Sequence, residues 1–258
     1  MTDWTRDIDR GEYGASNRNW GGLIVNPAVF VPTAILSLSV ILFSLIAPQA
    51  SADLFSSMRV GAVTYFDWFF MSVGNIVLLF CIAVAISPLG NIRLGGKGAT
   101  PDYSRLSWFS MLFGAGMGIG LVFYGVGEPV THFMSSMAGG AGAPLGGAAG
   151  DAAEARSLAM AATIFDWALH PWAIFAMVGL ALAVFAYDFN LPLSMRSAFY
   201  PLLGKSVWGR AGDGIEVLAV LATIFGLATS LGLGAQQAMA GISFLYGVPG
   251  TAGAIIGL

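Results

Sequence analysis

The stretch Phe113–Tyr124, FGAGMGIGLVFY, places Gly114, Gly116, Gly118 and Gly120 at every second position of an otherwise apolar segment. Each glycine inside a helix costs about 1 kcal/mol relative to alanine. Four of them in seven residues loosen or break the helix. Within a bilayer such a break is tolerated only where protein or a wet cavity covers the freed backbone groups. Bare backbone has a use there, because carbonyl oxygens can reach an ion and a small molecule can press against the chain. Gly114/Gly118 and Gly116/Gly120 are also small-xxx-small pairs, which let helices approach closely. The two readings are compatible, and the overlap of both pairs just before Glu128-Pro129 favours an interrupted helix.

Composition agrees with a membrane setting. Hydrophobic residues form 57% of the chain and charged residues only 10%, unlike a soluble domain. Apolar runs of spanning length define an all-α polytopic membrane protein. Five transmembrane helices are expected at about 27–47, 66–88, 106–126, 157–187 and 214–245, with the start of a sixth at 250–258. The last run stops at Leu258 without a polar tail, so the expectation is a piece of a longer protein. Residues 1–22 form a polar tail and 23–258 the membrane domain. Nine of the eleven Lys and Arg lie before the first span, between the second and third, or between the fourth and fifth. That bias predicts a cytoplasmic amino terminus. Cys81, the only cysteine, reads as a small core residue. The glycine- and alanine-rich connection from Met134 to Ala155 reads as a mobile external loop. Asp188–Gly214, with its aromatic and basic residues, reads as a short interfacial segment.

Several residues can carry chemistry. On an ideal helix Trp172 and Phe175 lie about 140° and 80° from Trp167, one broad aromatic face. Pro171 interrupts the hydrogen-bond ladder beside it. Such a face attracts quaternary ammonium groups, and two tryptophans at a lipid interface are the alternative. Asp166 and His170, at i and i+4, are expected to bond within their helix as a structural pair. Glu128-Pro129 is expected to end the third span, leaving Glu128 as a capping or solvent-facing carboxylate, with neutralisation of an entering cationic substrate as the alternative. Thr223, Thr229 and Ser230 offer hydroxyl oxygens to a cation or back to their own helix. No metal motif is visible, since the two histidines have no cysteine partners at ligand spacing. No nucleophile elbow or phosphate loop appears either, so an enzyme is not expected.

Four segments, MLFGAGMGIGLVFYGVGEPVTHF, DWALHPWAIFA, RSAFYPLLG and ATIFGLATSLGLGAQQ, occur in this order. Together they resemble the betaine/carnitine/choline transporter family over nearly the whole chain. The resemblance implies a twelve-helix carrier of LeuT-like inverted-repeat design. Two peripheral spans would precede two five-span repeats. It implies that Trp167, Trp172 and Phe175, with Gly116, Gly118 and Gly120, line the substrate site. Phe175 stands where many members carry tyrosine. It implies that Gly114, Met117, Thr223 and Ser230 contribute to sodium binding. Leu227 stands where sodium-coupled members carry threonine, which weakens one of two sodium sites. Neutral Gly116, Gly118 and Gly120 favour a zwitterion such as betaine over a bare cation. The implied protein is an inner-membrane, osmoprotective importer of a small quaternary-ammonium solute. It would use sodium and no other cofactor, sit in the lipid bilayer as a homotrimer and bind no nucleic acid. Alternatives are proton-coupled or exchange transport of a related solute, and a truncated, non-transporting membrane subunit.

Overall fold

The computed structural model describes residues 14, 16–116 and 118–247. Met117, most of the amino-terminal tail and the expected sixth span lie outside the described residues. The fold is almost wholly helical apart from a small hairpin of β1 (Arg18–Trp20) and β2 (Leu23–Val25). Asn26 then caps α1 (Pro27–Ile46), its Oδ1 accepting from the Ala28 amide at 3.1 Å. A proline in the first turn, whose missing N–H would be unpaired anyway, reinforces that start.

Among the described residues, four helical stretches have the length and hydropathy to cross a bilayer: Pro27–Ile46, Pro48–Ile86, Ala152–Asp188 and Arg210–Tyr246. The second, α2 (Pro48–Ile86), starts eighteen residues before the expected span at 66, so the intervening segment is helix rather than loop. The expected third span is α3 (Arg105–Gly116) followed by α4 (Ile119–Ala138), separated at the glycines. Gly118 sits at the start of α4 with φ −71° and ψ −145°, outside helical geometry. The expected break is therefore present.

Glu128-Pro129 does not end α4, contrary to expectation; the helix runs nine residues past Pro129. Thr131 Oγ1 donates to the Gly127 carbonyl at 2.8 Å in the turn carrying the proline. The carbonyl that Pro129 leaves without an N–H is a different one, that of Gly125, four residues earlier; membrane helices tolerate such a proline where other groups satisfy the freed carbonyl.

The connection to α5 (Ala152–Trp167) is folded, which corrects the expectation of a mobile loop. The Ala148 amide donates to the Ser136 carbonyl at 2.9 Å, and the Gly140 amide to the Gly146 carbonyl at 3.0 Å. Ala143, Ala148 and Ser136 are buried. Gly147 has φ +75°, and a Cβ there would stand 2.7 Å from the Ser136 oxygen, so only glycine fits this turn. Asp151 then caps α5 through the Ala153 and Glu154 amides.

The expected fourth span is also broken. α5 stops at Trp167 and α6 (Leu169–Ala183) follows, with Ala168 at ψ −115° between them. Pro171 has no N–H for the Trp167 carbonyl four residues earlier, and its ring crowds that carbonyl. A π-helical turn, Val184–Asp188, ends this stretch.

The segment expected to fold back does so. It forms α7 (Met195–Ala198), α8 (Tyr200–Leu203) and a 3₁₀ turn at Gly204–Trp208, closed on Leu191, Tyr200, Val207 and Trp208. α9 (Arg210–Tyr246) follows.

The chain divides into two compact units: Met1–Ala99 with Trp172–Thr223, and Thr100–Pro171 with Ile224–Leu258. In the first unit, Cys81 of α2 donates to the buried Ala173 carbonyl at 3.5 Å. Asp188 accepts from the Gly95 amide at 2.8 Å. Buried Arg196 pairs with Asp213 at 3.1 Å and Glu216 at 3.4 Å, and Asn26 donates to Asp213 at 3.3 Å. One cation thus joins α7 to the first turns of α9, and Asn26 adds the start of α1. The second unit is built on the hairpin of α4 and α5.

Burial is inverted relative to a soluble protein. The buried residues of α1 and α2 are Thr33, Ser51 and Gly74, while large apolar side chains such as Ile46 and Ile86 are more than 80% exposed. Small groups face other helices and large apolar groups face outward, the pattern of a chain solvated by lipid.

Candidate functional site

In the second unit the site is assembled on one slanted stripe of α4. Gly120, Tyr124, Glu128 and His132 follow one another at four-residue intervals, so they rise along one side of the helix. Trp167, at the end of α5, lies against this stripe. A Cβ on Gly120 would stand 3.2 Å from Cη2 of the indole, so the missing side chain is the space the ring uses. Tyr124 packs beside the indole with ring centroids 5.8 Å apart. The indole Nε1–H donates to Glu128 Oε2. One turn further along, His132 Nε2 and Asp166 Oδ2 lie 3.1 Å apart.

This geometry revises one expectation: Glu128 is neither a helix cap nor merely solvent-facing, because it holds Trp167. It also gives Asp166 a partner in His132 of the neighbouring helix. The His170 ring packs on Phe165 at 4.8 Å.

Trp172 and Phe175 keep their neighbourly spacing on α6, with ring centroids 6.0 Å apart. They belong to the first unit and Trp167 to the second.

The residues expected to bind sodium are placed as follows. Gly114 lies in the last turn of α3, with open space where its side chain would be. Gly116, expected at the substrate site, ends that helix, and Met117 is outside the described residues. Thr223 and Ser230 lie on α9. The Thr223 hydroxyl donates to the Ala219 carbonyl at 2.8 Å, and that of Thr229 to the Phe225 carbonyl at 2.9 Å. This is the back-bonding alternative, and it leaves the oxygen lone pairs available as acceptors.

Sequence reading missed Tyr124, and it missed Glu128, His132 and Asp166 as one cluster. The four-residue spacing on α4 could have signalled the first three. Asp166 could not be added without the packing of α5.

An aromatic ring beside a carboxylate and an open backbone suits a small cationic or zwitterionic solute. Apolar helices of spanning length define a polytopic membrane protein. The description BCCT, betaine/carnitine/choline family transporter, matches residues 28–258. The chain belongs to the betaine/carnitine/choline transporter family, whose members are transporters rather than enzymes.

Among its relatives, a glycine betaine/proline/choline transporter of Vibrio parahaemolyticus is 50% identical, over 89% of this chain and 43% of that protein. Glycine betaine transporter 1 of the same organism is 48% identical, over 93% of this chain and 46% of that protein. The high-affinity choline transport protein of Escherichia coli K12 is 37% identical, over 87% and 32%. The chain spans less than half the length of these relatives and matches their amino-terminal part.

Proposed function

We propose that this chain forms the amino-terminal part of a secondary transporter importing a betaine-like zwitterion with sodium. The observation that carries the reading is the Trp167 indole, held by Glu128 against the bare backbone of Gly120 beside a helix break. A ring face can hold a trimethylammonium group, which offers no N–H to donate. Relatives named for glycine betaine and choline support that solute class.

Trp172 and Phe175 complete the aromatic lining in this reading, and Gly116 and Gly118 give the solute room. Gly114 and Met117 supply carbonyl oxygens for sodium, with Thr223 and Ser230 as hydroxyl ligands. The full carrier has the twelve-helix inverted-repeat architecture, with this chain holding two peripheral spans and the first part of the core. It lies in the inner membrane as a trimer with its amino terminus in the cytoplasm. The proton- or exchange-coupled alternative, motivated by Leu227 and the Asp166/His170 pair, predicts uptake that follows the pH gradient and is abolished in Asp166→Asn.

The test is uptake of labelled glycine betaine in a strain lacking betaine transporters, after expression of the gene encoding this chain. Accumulation should rise with external sodium and fall at least tenfold in Trp167→Leu. Uptake indifferent to sodium removes the coupling. Absence of uptake for every trimethylammonium solute removes the substrate assignment.

A further inference from the structure

Glu128, His132 and Asp166 bring one imidazole and two carboxylates together, with a ligand atom from each within 4.8 Å of the other two. Imidazole combined with carboxylate oxygen is a donor set for zinc and neighbouring divalent transition ions. Two donors sit one turn apart on α4, so the helix fixes their spacing. The third arrives from the last turn of α5, and the folded Gly139–Asp151 connection holds the two helices together.

His132 Nε2 and Asp166 Oδ2 are already 3.1 Å apart, close to the separation of two ligands on one tetrahedral ion with bonds near ~2.1 Å. Ligands on one tetrahedral ion with such bonds lie about 3.4 Å apart, so a pair at the 4.8 Å limit of the cluster must close by about 1.4 Å. Asp166 can make that adjustment, since its side chain is 45% exposed. The same opening admits the ion and leaves a coordination position for water.

We propose that Glu128, His132 and Asp166 form a binding site for a divalent transition-metal ion of the zinc class, with three protein ligands and water. The Glu128 oxygen that accepts from the Trp167 indole is one of the two that this carboxylate can offer the ion. Metal binding therefore competes with, or reorients, the contact that holds the indole. External zinc should then inhibit transport. That consequence rests on the reading of Trp167 given above, whereas the metal site does not.

The experiment is calorimetric titration of the purified, chelator-treated protein with zinc chloride, beside titrations of His132→Gln, His132→Cys and Asp166→Asn. The expected result is one ion per chain. Affinity should fall at least tenfold in His132→Gln and Asp166→Asn and be retained in His132→Cys, whose thiolate replaces the imidazole. Retention in the cysteine variant separates a ligand from a residue needed only for folding. Equal affinity in wild type and His132→Gln, or no zinc binding at micromolar concentration, overturns the site. Zinc bound by a protein that carries no betaine leaves this site standing and removes the transport reading instead. Betaine uptake insensitive to zinc in a protein that binds it overturns only the proposed link to Trp167.

Discussion

At the scale of single residues, the contact between Gly120 and Trp167 ties the backbone of α4 to the ring of the candidate site. The space for a Cβ at Gly120 ends 3.2 Å from one indole carbon and 3.5 Å from the next. An alanine methyl fits if the ring gives by a few tenths of an ångström. Valine adds two further carbons on the same side and must displace the ring from Glu128. Gly120→Val is therefore expected to raise the KM for betaine about tenfold, equivalent to about 1.4 kcal/mol of binding, while Gly120→Ala stays near wild type. Initial uptake rates against betaine concentration measure both. Identical KM values for the valine variant and wild type would remove Gly120 from the site.

At the scale of elements, the helices are held by connections rather than by large apolar cores. The clearest case is Arg196 at the start of α7, which serves Asp213 and Glu216 of α9 together and is almost fully buried. Its backbone N–H also donates to Glu216 at 3.0 Å. Removing the buried cation leaves two partly buried carboxylates facing each other; breaking a fully buried pair costs about 3–5 kcal/mol, which is the upper bound here. Arg196→Met should lower the melting temperature of the detergent-solubilised protein by several degrees. Arg196→Lys should recover only part of the loss, because one ammonium cannot match the guanidinium's fixed fork. An unchanged melting temperature in Arg196→Met would show that this network does not hold the segment. The charge count used Arg196 only to orient the chain. Its pairing depends on Asp213 and Glu216, which join it only once the Asp188–Gly209 segment has folded back.

At the scale of the whole molecule, the bias of basic residues makes a prediction about sidedness. Lys97 follows α2 on the expected cytoplasmic side, and Ala141 lies in the expected external connection. Both positions are exposed. In a Cys81→Ser background, Ala141→Cys should react with an impermeant maleimide on intact spheroplasts. Lys97→Cys should react only after permeabilisation. Reversed labelling would invert the topology and move the Glu128, His132 and Asp166 cluster away from externally added zinc.

The membrane class, the place of the first helix break and the identity of the aromatic residues were all readable from the residues in order. Each rests on a local property: apolar run length, glycine cost and ring chemistry act over a turn or two of helix. The break at Ala168 was half readable, since Pro171 marked the region but the extent of the opening depends on how the chain repacks. The partners of Glu128 and Asp166 were not readable at all. Glu128 and Trp167 are 39 residues apart, and they meet only because the Gly139–Asp151 connection folds and sets α5 against one side of α4. Contacts across a hairpin follow from the angle and register of two packed helices, which no stretch of either helix contains.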